Sequence, residues 1–359
     1  MHPPGTLSPR AKILLWVLML TLAVVSVHRL VCAAPRRAVE VFEGPTMGTT
    51  WSVKIVAGGF DAEERARIRG AIDAELDRVV RLMSTWETDS ELSRFNRHRA
   101  STPFTASAET LEVLRVAREV SEASGGAFDV TVGPLVEAWG FGPMERPPRP
   151  PSEAEVARLR ERVGHHLVEI DETSGTLTKR HPDTVCDLSA IAKGHAVDRV
   201  AEALAALGHT DFLVEIGGEV RARGARPDDR PWRVAIETPD PEARILHRVV
   251  ELRDRAMATS GDYRNFYESE GVWISHLIDP RSARPIDHGL ASVSVIHPQA
   301  IWADAWATAL IVLGPEEGFE LARREELAAY FMIRKGEGGL ATRATPAFEA
   351  LFGDGEDGG

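Results

Sequence analysis

The sequence predicts an α+β fold, and three observations carry that expectation. Short β-rich runs of alternating polarity recur along the chain, beginning at residues 46–56. Two long amphipathic helices stand among them, at 61–83 and 107–124. Strands and helices then interleave with no regular βαβ rhythm, which argues against a doubly wound parallel sheet.

The elements follow in order. Residues 46–56 (TMGTTWSVKIV) alternate and are rich in β-branched side chains, so they read as a strand. From 61 to 83, Ile68, Ile72, Leu76, Val79 and Met83 recur at helical spacing. The helix at 107–124 is stopped by Gly125-Gly126. The segment 143–151 (PMERPPRPP) is a proline-rich connector that excludes regular structure. Ser152 and Glu155 form a capping box that opens a short helix. Residues 167–188 carry two or three strands with a turn at Ser174-Gly175. A helix over 189–207 ends at Gly208, and a strand pair over 212–224 turns at Gly217-Gly218. Further strands are expected at 232–237, 249–252, 273–278 and 292–297, then a helix over 301–313 ended by Gly314, then a last strand at 328–333. The tail 353–359 (GDGEDGG) is acidic and glycine-rich, and disorder is expected there.

At 359 residues the chain is one large domain or two ordinary ones, and 43% hydrophobic content is enough for a real core. Its 42 basic against 54 acidic residues, a net charge of −12, exclude a general nucleic-acid binder. Two cysteines, Cys32 and Cys186, exclude a disulfide scaffold and cysteine-type zinc or iron–sulfur centres. Arg10 and Lys12 precede an uncharged, almost wholly apolar run at 13–27. That run is short for a membrane span and fits the core of an export signal, with Val31-Cys32-Ala33 as a cleavage site. His28 and Arg29 interrupt the pattern, so residues 1–34 are expected to be either a cleaved signal peptide or a retained membrane anchor. A lipidated Cys32 is a third option. In each case the body of the protein is expected outside the cytoplasm, periplasmic or anchored at the inner membrane facing the periplasm, with Cys186 a buried thiol.

Phosphate-binding P-loops, G-x-S-x-G and H-E-x-x-H patterns are absent, and no dinucleotide-type G-x-G-x-x-G stands between a strand and a helix. Five other clusters could carry chemistry. In DLSAIAKG (187–194), Asp187 stands where a helix N-cap belongs, and Lys193 could add positive charge to an anion site at that helix start. In ADAWAT (303–308), Asp304 and Thr308 share one helix face, a hard-oxygen pair suited to Mg²⁺; a capped helix start is the plainer alternative. GGAFDVTVGPL (125–135) leads to WGFG (139–142), so Phe128 and Trp139 could flank a flat ring or could be core aromatics. Trp86, after Met83-Ser84-Thr85, is either a stacking surface or a core tryptophan. ATSGDYRN (258–265) looks like a ligand-contacting loop, and His276, in a strand among apolar neighbours, is either a satisfied core residue or a general base.

Taken together and in this order, MGTTW, MSTW…DSELSRFN, GGAFDVTVGPL…WGFG, DLSAIAKGHAVD, VEIGGEVRARG, ATSGDYRN, HLIDP and ADAWATAL resemble the ApbE family of FAD:protein FMN transferases. The likeness runs from about Met47 to Gly314. It implies an internally duplicated, T-fold-like α+β domain over residues 40–345. It implies Mg²⁺-dependent transfer of the FMN moiety of FAD onto a Ser or Thr hydroxyl of a target flavoprotein, with release of AMP. The implied acceptor is an exported or membrane flavoprotein, such as a subunit of an electron-transfer complex. Carried over by motif, Met47, Trp86, Ala127, Phe128, Asp129, Asp187, Lys193 and Ile278 would contact FAD. Ala190 through its carbonyl, Asp304 and Thr308 would hold Mg²⁺, and His276 with the ATSGDYRN loop would lie beside the pyrophosphate. His276 or Asp262 is expected to help take the acceptor's proton, and the sequence does not decide between them. Trp86 stands where many members carry Tyr, and Lys193 where some carry Glu. Two alternatives stay open: a Mg²⁺-dependent FAD pyrophosphatase, and a non-catalytic exported FAD-binding protein.

Overall fold

The computed structural model describes residues 8–10, 12, 14, 16, 18–22, 37–144, 147, 149–240, 245–262, 266–269, 272–335 and 339–353. Its scaffold is an antiparallel sheet in which chain order and spatial order coincide. The eight strands are β1 (Ala38–Thr46), β2 (Thr49–Ala57), β3 (Phe212–Ile216), β4 (Glu219–Arg223), β5 (Arg255–Gly261), β6 (Leu290–His297), β7 (Ala328–Arg334) and β8 (Leu340–Ala344). The helices are α1 (Ala62–Met83), α2 (Glu91–Arg97), α3 (Ala108–Ala123), α4 (Gly133–Ala138), α5 (Glu153–Arg160), α6 (Ala192–Ala206), α7 (Ala300–Arg324) and α8 (Pro346–Phe352).

The order of elements is duplicated. The hairpin β1–β2, helices α1 and α6, and the hairpin β3–β4 make one half, with α2–α5 inserted between the two helices. The hairpin β5–β6, helix α7 and the hairpin β7–β8 make the other. Helix α7 is itself two segments meeting at Gly314 (φ 85°, ψ −177°), and Pro315 opens the second. The halves join where β4 pairs with β5, Arg255 opposite Ala222 and Met257 opposite Val220.

The period of two in the strands sorts side chains between two cores. Phe212, Val214 and Ile216 of β3 face the helices, where Ile68, Ile72 and Leu76 of α1, Val197, Val200 and Leu204 of α6, and Leu310 and Ile311 of α7 meet them. Each such side chain contributes about 1.5–3 kcal/mol on burial. Leu213, Val220, Ala222, Met257 and Tyr330 point to the other face, covered by the ribbon Trp232–Glu237 with Leu246–Leu252 and by Phe348 of α8. On β4, Glu219 and Arg221 therefore fall on the helix side, between the apolar positions of the opposite face. A third cluster joins Leu135, Trp139, Val156, Ile274, Ile278 and Ala283. Between α1, α3 and α6 a chain of contacts runs inward from the half-exposed Arg78, Nε to Glu109 Oε2 (2.5 Å), and on to the buried pair of Glu109 Oε1 and His195 Nε2 (2.8 Å).

Several expectations are corrected. The run at 46–56 is not one strand but the end of β1, a two-residue turn at Met47-Gly48 and β2. The helix expected at 189–207 begins at Ala192, because residues 188–191 form a separate turn. Gly314 ends a helical segment as expected, but a second segment follows it to Arg324. Beyond β7 the chain adds β8 and α8. The capping box at Ser152 and Glu155 is present, each side chain bonded to the other's backbone N–H. Most of the apolar run at 13–27, the site at Val31-Cys32-Ala33, residues Tyr263–Asn265 of the ATSGDYRN loop, and the tail beyond Gly353 lie outside the described residues. Among the described residues, no helix is long and apolar enough to cross a membrane.

Candidate active site

The start of α6 and the first turns of α7 touch, and that contact builds the centre of the site. A side chain at Gly194 would place its Cβ 2.4 Å from the Ala300 carbonyl oxygen and 2.7 Å from Asp304 Cβ, so no other residue fits there. Through this gap the Gly194 N–H donates to Asp304 Oδ2 at 2.8 Å. The first N–H groups of α7 would otherwise be unpartnered. They are met by Asp198 of α6, whose two oxygens accept from Ala300 N and Ile301 N, both at 2.9 Å. Arg221 of β4 holds Asp198 Oδ1 at 2.6 Å. Asp304 is thereby fixed one turn into α7 at 3% exposure. Thr308 lies one turn further along, its hydroxyl 3.2 Å from that of Ser260 near the end of β5. Ala190 sits in the turn just before α6.

Lys193 is the cation of this cluster. Its ammonium lies 2.5 Å from Oε1 of Glu219, the first residue of β4. Glu219 is 2% exposed, and its Oε2 is buried with no partner among the described residues. The two-residue turn before it, Gly217-Gly218, has both residues in the left-handed region (φ 61° and 107°). A Cβ on Gly217 would stand 2.9 Å from Thr49 and 3.2 Å from the Lys193 stem. The tip of the β3–β4 hairpin therefore packs against the β1–β2 hairpin, whose own tip is Met47 in the left-handed conformation (φ 46°). Burial works against the Lys193 charge, but the Glu219 and Asp304 carboxylates outweigh it and hold the ammonium up at about 12. Burial, helped by the Asp304 charge, pushes Glu219 up to about 7, and burial likewise raises Asp304 above the ordinary carboxylate range.

A cavity of about 570 Å³ is lined by Thr85, Asn96, Arg97, Arg162 and Asp187, among others. The Asn96 side chain ties its rim by bonding both the N–H and the carbonyl of Cys186, each at 2.8 Å. Asp187 Oδ1 accepts from the N–H and hydroxyl of Ser189, at 2.8 and 2.5 Å. It thus caps the turn at 188–191 and not the helix, which corrects its expected role. Trp86 is 68% exposed, which excludes the core alternative for it. Phe128 and Trp139 do not flank a common surface: Phe128 is buried in the helix-side core, and Trp139 donates from Nε1 to the Ala283 carbonyl at 3.1 Å inside the third cluster. Ala127 is buried beside Phe128, and both Asp129 oxygens are occupied by Thr131 and by the His165 N–H. Ile278 is buried in the third cluster. Cys186 is fully buried, and burial pushes its thiol up to about 12.

The two candidate bases differ in their surroundings. Asp262 is buried and gripped by Arg334 of β7, NH1 at 2.7 Å and NH2 at 2.5 Å, a bidentate pair that occupies both oxygens. His276 is half-buried in a bend after the strand Val272–Ser275, not within it as expected, with Phe141 edge-on at 6.2 Å.

A family model described as the ApbE family matches residues 47–331. The chain belongs to the ApbE family. Among its ApbE relatives, a protein of Vibrio cholerae named FAD:protein FMN transferase is 42% identical over 321 residues, 89% of this chain and 95% of its own. One of the same name from Escherichia coli is 39% identical over 316 residues, covering 88% of this chain and 89% of the relative. In solved structures, the Pseudomonas stutzeri flavinyl transferase ApbE superposes with a TM-score of 0.81 at 41% identity, covering 89% of this chain and 98% of the other. An ApbE protein of Thermotoga maritima superposes at 0.77 and 27% identity, covering 88% and 99%. The expected family and α+β class are both found, in a family whose named relatives are transferases.

The ApbE chain's inner site suits a small, hard divalent cation. The Asp304 carboxylate and the Thr308 hydroxyl, one turn apart on α7, are oxygen donors of that kind, and Ala190 lies in the turn just before α6. No group of three or more His, Cys, Asp or Glu stands ready to hold a metal among the described residues, so water or phosphate oxygens would complete the shell. Glu219 went unnamed in the sequence, although VEIGGEV displays it. Its partner Lys193 is 26 residues away, and pairing two separate elements is not a local pattern.

Proposed function

We propose that this protein transfers the FMN moiety of FAD to a Ser or Thr hydroxyl of an acceptor flavoprotein and releases AMP, with Mg²⁺ as cofactor. The observation that carries this is the buried cluster of Lys193, Glu219 and Asp304 with Thr308, built by glycine-tight contacts between the two halves of an ApbE fold. Bound Mg²⁺ would supply Lewis-acid neutralisation of the charge that develops on the departing phosphate. Asp304, Thr308 and the Ala190 carbonyl are the residues to hold it.

The chain's own groups do the rest. Lys193, immobilised by Glu219, sets a permanent positive charge beside the pyrophosphate and is pre-oriented for it. Trp86 offers an exposed flat face on which a ring of FAD stacks. Asp187 lines the cavity that receives part of the dinucleotide. Met47, at the tip of the β1–β2 hairpin, closes the opposite side. The acceptor oxygen bonds to the FMN phosphorus, the bridging P–O bond breaks toward AMP, and the hydroxyl proton passes to His276. Asp262 is set aside for this role because Arg334 occupies its carboxylate. General-base assistance of this kind contributes about 10²–10⁴-fold. The basic residues followed by an apolar run near the N-terminus support action outside the cytoplasm, on an exported or membrane-bound subunit of an electron-transfer complex.

The test incubates the protein with FAD, Mg²⁺ and a candidate acceptor, then reads in-gel flavin fluorescence and AMP. Fluorescence on the acceptor with stoichiometric AMP is expected, and Asp304→Ala should abolish both. FMN and AMP without label would replace transfer by hydrolysis, and unchanged FAD would leave a binding protein.

A further inference from the structure

We infer that Glu219 is a further ligand residue of the cation site, its Oε2 supplying an acidic oxygen to the divalent cation while its Oε1 holds Lys193. This inference rests on the Mg²⁺ reading above. Three observations carry it. First, Glu219 is 2% exposed and Oε2 has no hydrogen-bond partner among the described residues, whereas Oε1 accepts from Lys193 at 2.5 Å. An acceptor left bare in a protein interior is costly, so a partner is expected to complete it. Second, the cluster is unbalanced. Two acidic side chains, Asp304 and Glu219, stand against one ammonium, Lys193, so the cluster has room in charge for a further cation. Third, the neighbouring side chains on α7 and at the end of β5 are oxygen donors of the type a hard cation takes: the Thr308 and Ser260 hydroxyls, 3.2 Å apart, and the Asp304 carboxylate, whose Oδ2 accepts from the Gly194 N–H.

The backbone explains why Glu219 holds still enough to act. It is the first residue of β4, directly after the Gly217-Gly218 turn, and that turn is wedged against Thr49 and the Lys193 stem. Two residues on, Arg221 pins the same strand to Asp198, which in turn caps α7. The carboxylate of Glu219 and the helix that carries Asp304 are therefore parts of one rigid frame. Lys193 and the cation would then be held by the two oxygens of one carboxylate.

The test is Mn²⁺ binding to the purified full chain without FAD, followed by the electron paramagnetic resonance signal of free Mn²⁺, with thermal melting as the control for folding. Glu219→Gln should weaken Mn²⁺ at least tenfold, and Asp304→Ala should do the same. Glu219→Asp, which keeps the charge but draws the oxygen back, should also weaken it. Lys193→Met separates direct from indirect action: Mn²⁺ affinity should hold or rise, because a repelling charge has gone while Oε2 remains. Unchanged affinity in Glu219→Gln beside a loss in Asp304→Ala would overturn the inference and leave the Mg²⁺ reading standing. A loss in Lys193→Met equal to that in Glu219→Gln would also overturn it, since Glu219 would then act through Lys193. Failure of the wild-type chain to bind Mn²⁺ would overturn both.

Discussion

Replacing Gly194 by Ala pits two effects against each other. Alanine is the better helix former, by about 0.8–1 kcal/mol in a helix interior, so propensity predicts stabilisation. The structure predicts the reverse. The new methyl would stand 2.4 Å from the Ala300 carbonyl and 2.7 Å from Asp304 Cβ, and both belong to the neighbouring helix and cannot swing away. Relief means moving α6 and α7 apart, at roughly 1–3 kcal/mol for overpacking. The same movement stretches the 2.8 Å bond from Gly194 N–H to the buried Asp304 carboxylate, worth about 1.5–3 kcal/mol for a charged partner. With propensity subtracted, Gly194→Ala should destabilise the protein by about 2–4 kcal/mol in urea unfolding. Gly70 is the matched control: it lies exposed inside α1 with nothing within 4 Å of an added Cβ, so Gly70→Ala should gain about 0.5–1 kcal/mol. Stabilisation of both variants to the same degree would refute the close helix contact and the placement of Asp304 built on it.

The remaining predictions probe other parts of the frame. Trp86→Ala should leave unfolding within about 0.5 kcal/mol of wild type, because the ring is exposed, while FAD affinity falls by about 1–3 kcal/mol; a fluorescence titration that finds no loss would remove the stacking role. Asp198→Ala strips the caps from α7 and leaves Arg221 unpaired, so unfolding should be easier by about 2–4 kcal/mol, measured in denaturant. Glu109 carries a pH dependence. Its hydrogen bond from His195, then the charges of His195, Arg78 and Arg199, hold it below its unfolded value of 4.5, so its contribution is present above that pH and is lost as acid protonates it in the folded state. Glu109→Gln should therefore be less stable at pH 7 and lose less between pH 5 and pH 3; parallel stability curves would count against the buried pair with His195.

The sequence displayed the parts of this fold whose physics is local. Helix α1 was legible because Ile68, Ile72, Leu76, Val79 and Met83 all face the core, and the β3–β4 turn because only glycine takes two successive left-handed positions easily. Strand β1 was not legible, because it is an edge strand in which Phe42 alone is buried while Val39 and Val41 stand 40% and 39% exposed, so no apolar face shows. The second segment of α7 was hidden because Gly314-Pro315 reads as a stop, when Pro315 in fact begins a helix. In the site, Lys193, Asp304 and Thr308 stood out in the sequence, and the structure brings Lys193 and Asp304 into one cluster with Thr308 a turn along. Asp187 was misplaced by one turn, since Ser189 bends the chain before α6 begins. The demotion of Asp262 depended on Arg334, 72 residues away, which no local pattern connects to it.

Because Lys193 and Glu219 come from the first repeat while Asp304 and Thr308 come from the second, neither half alone assembles the buried cluster. A ribosome must translate nearly to β7 before the two sets can meet. A chain shortened before α7 would lack Asp304 and Thr308 and leave the Lys193–Glu219 pair without those neighbours.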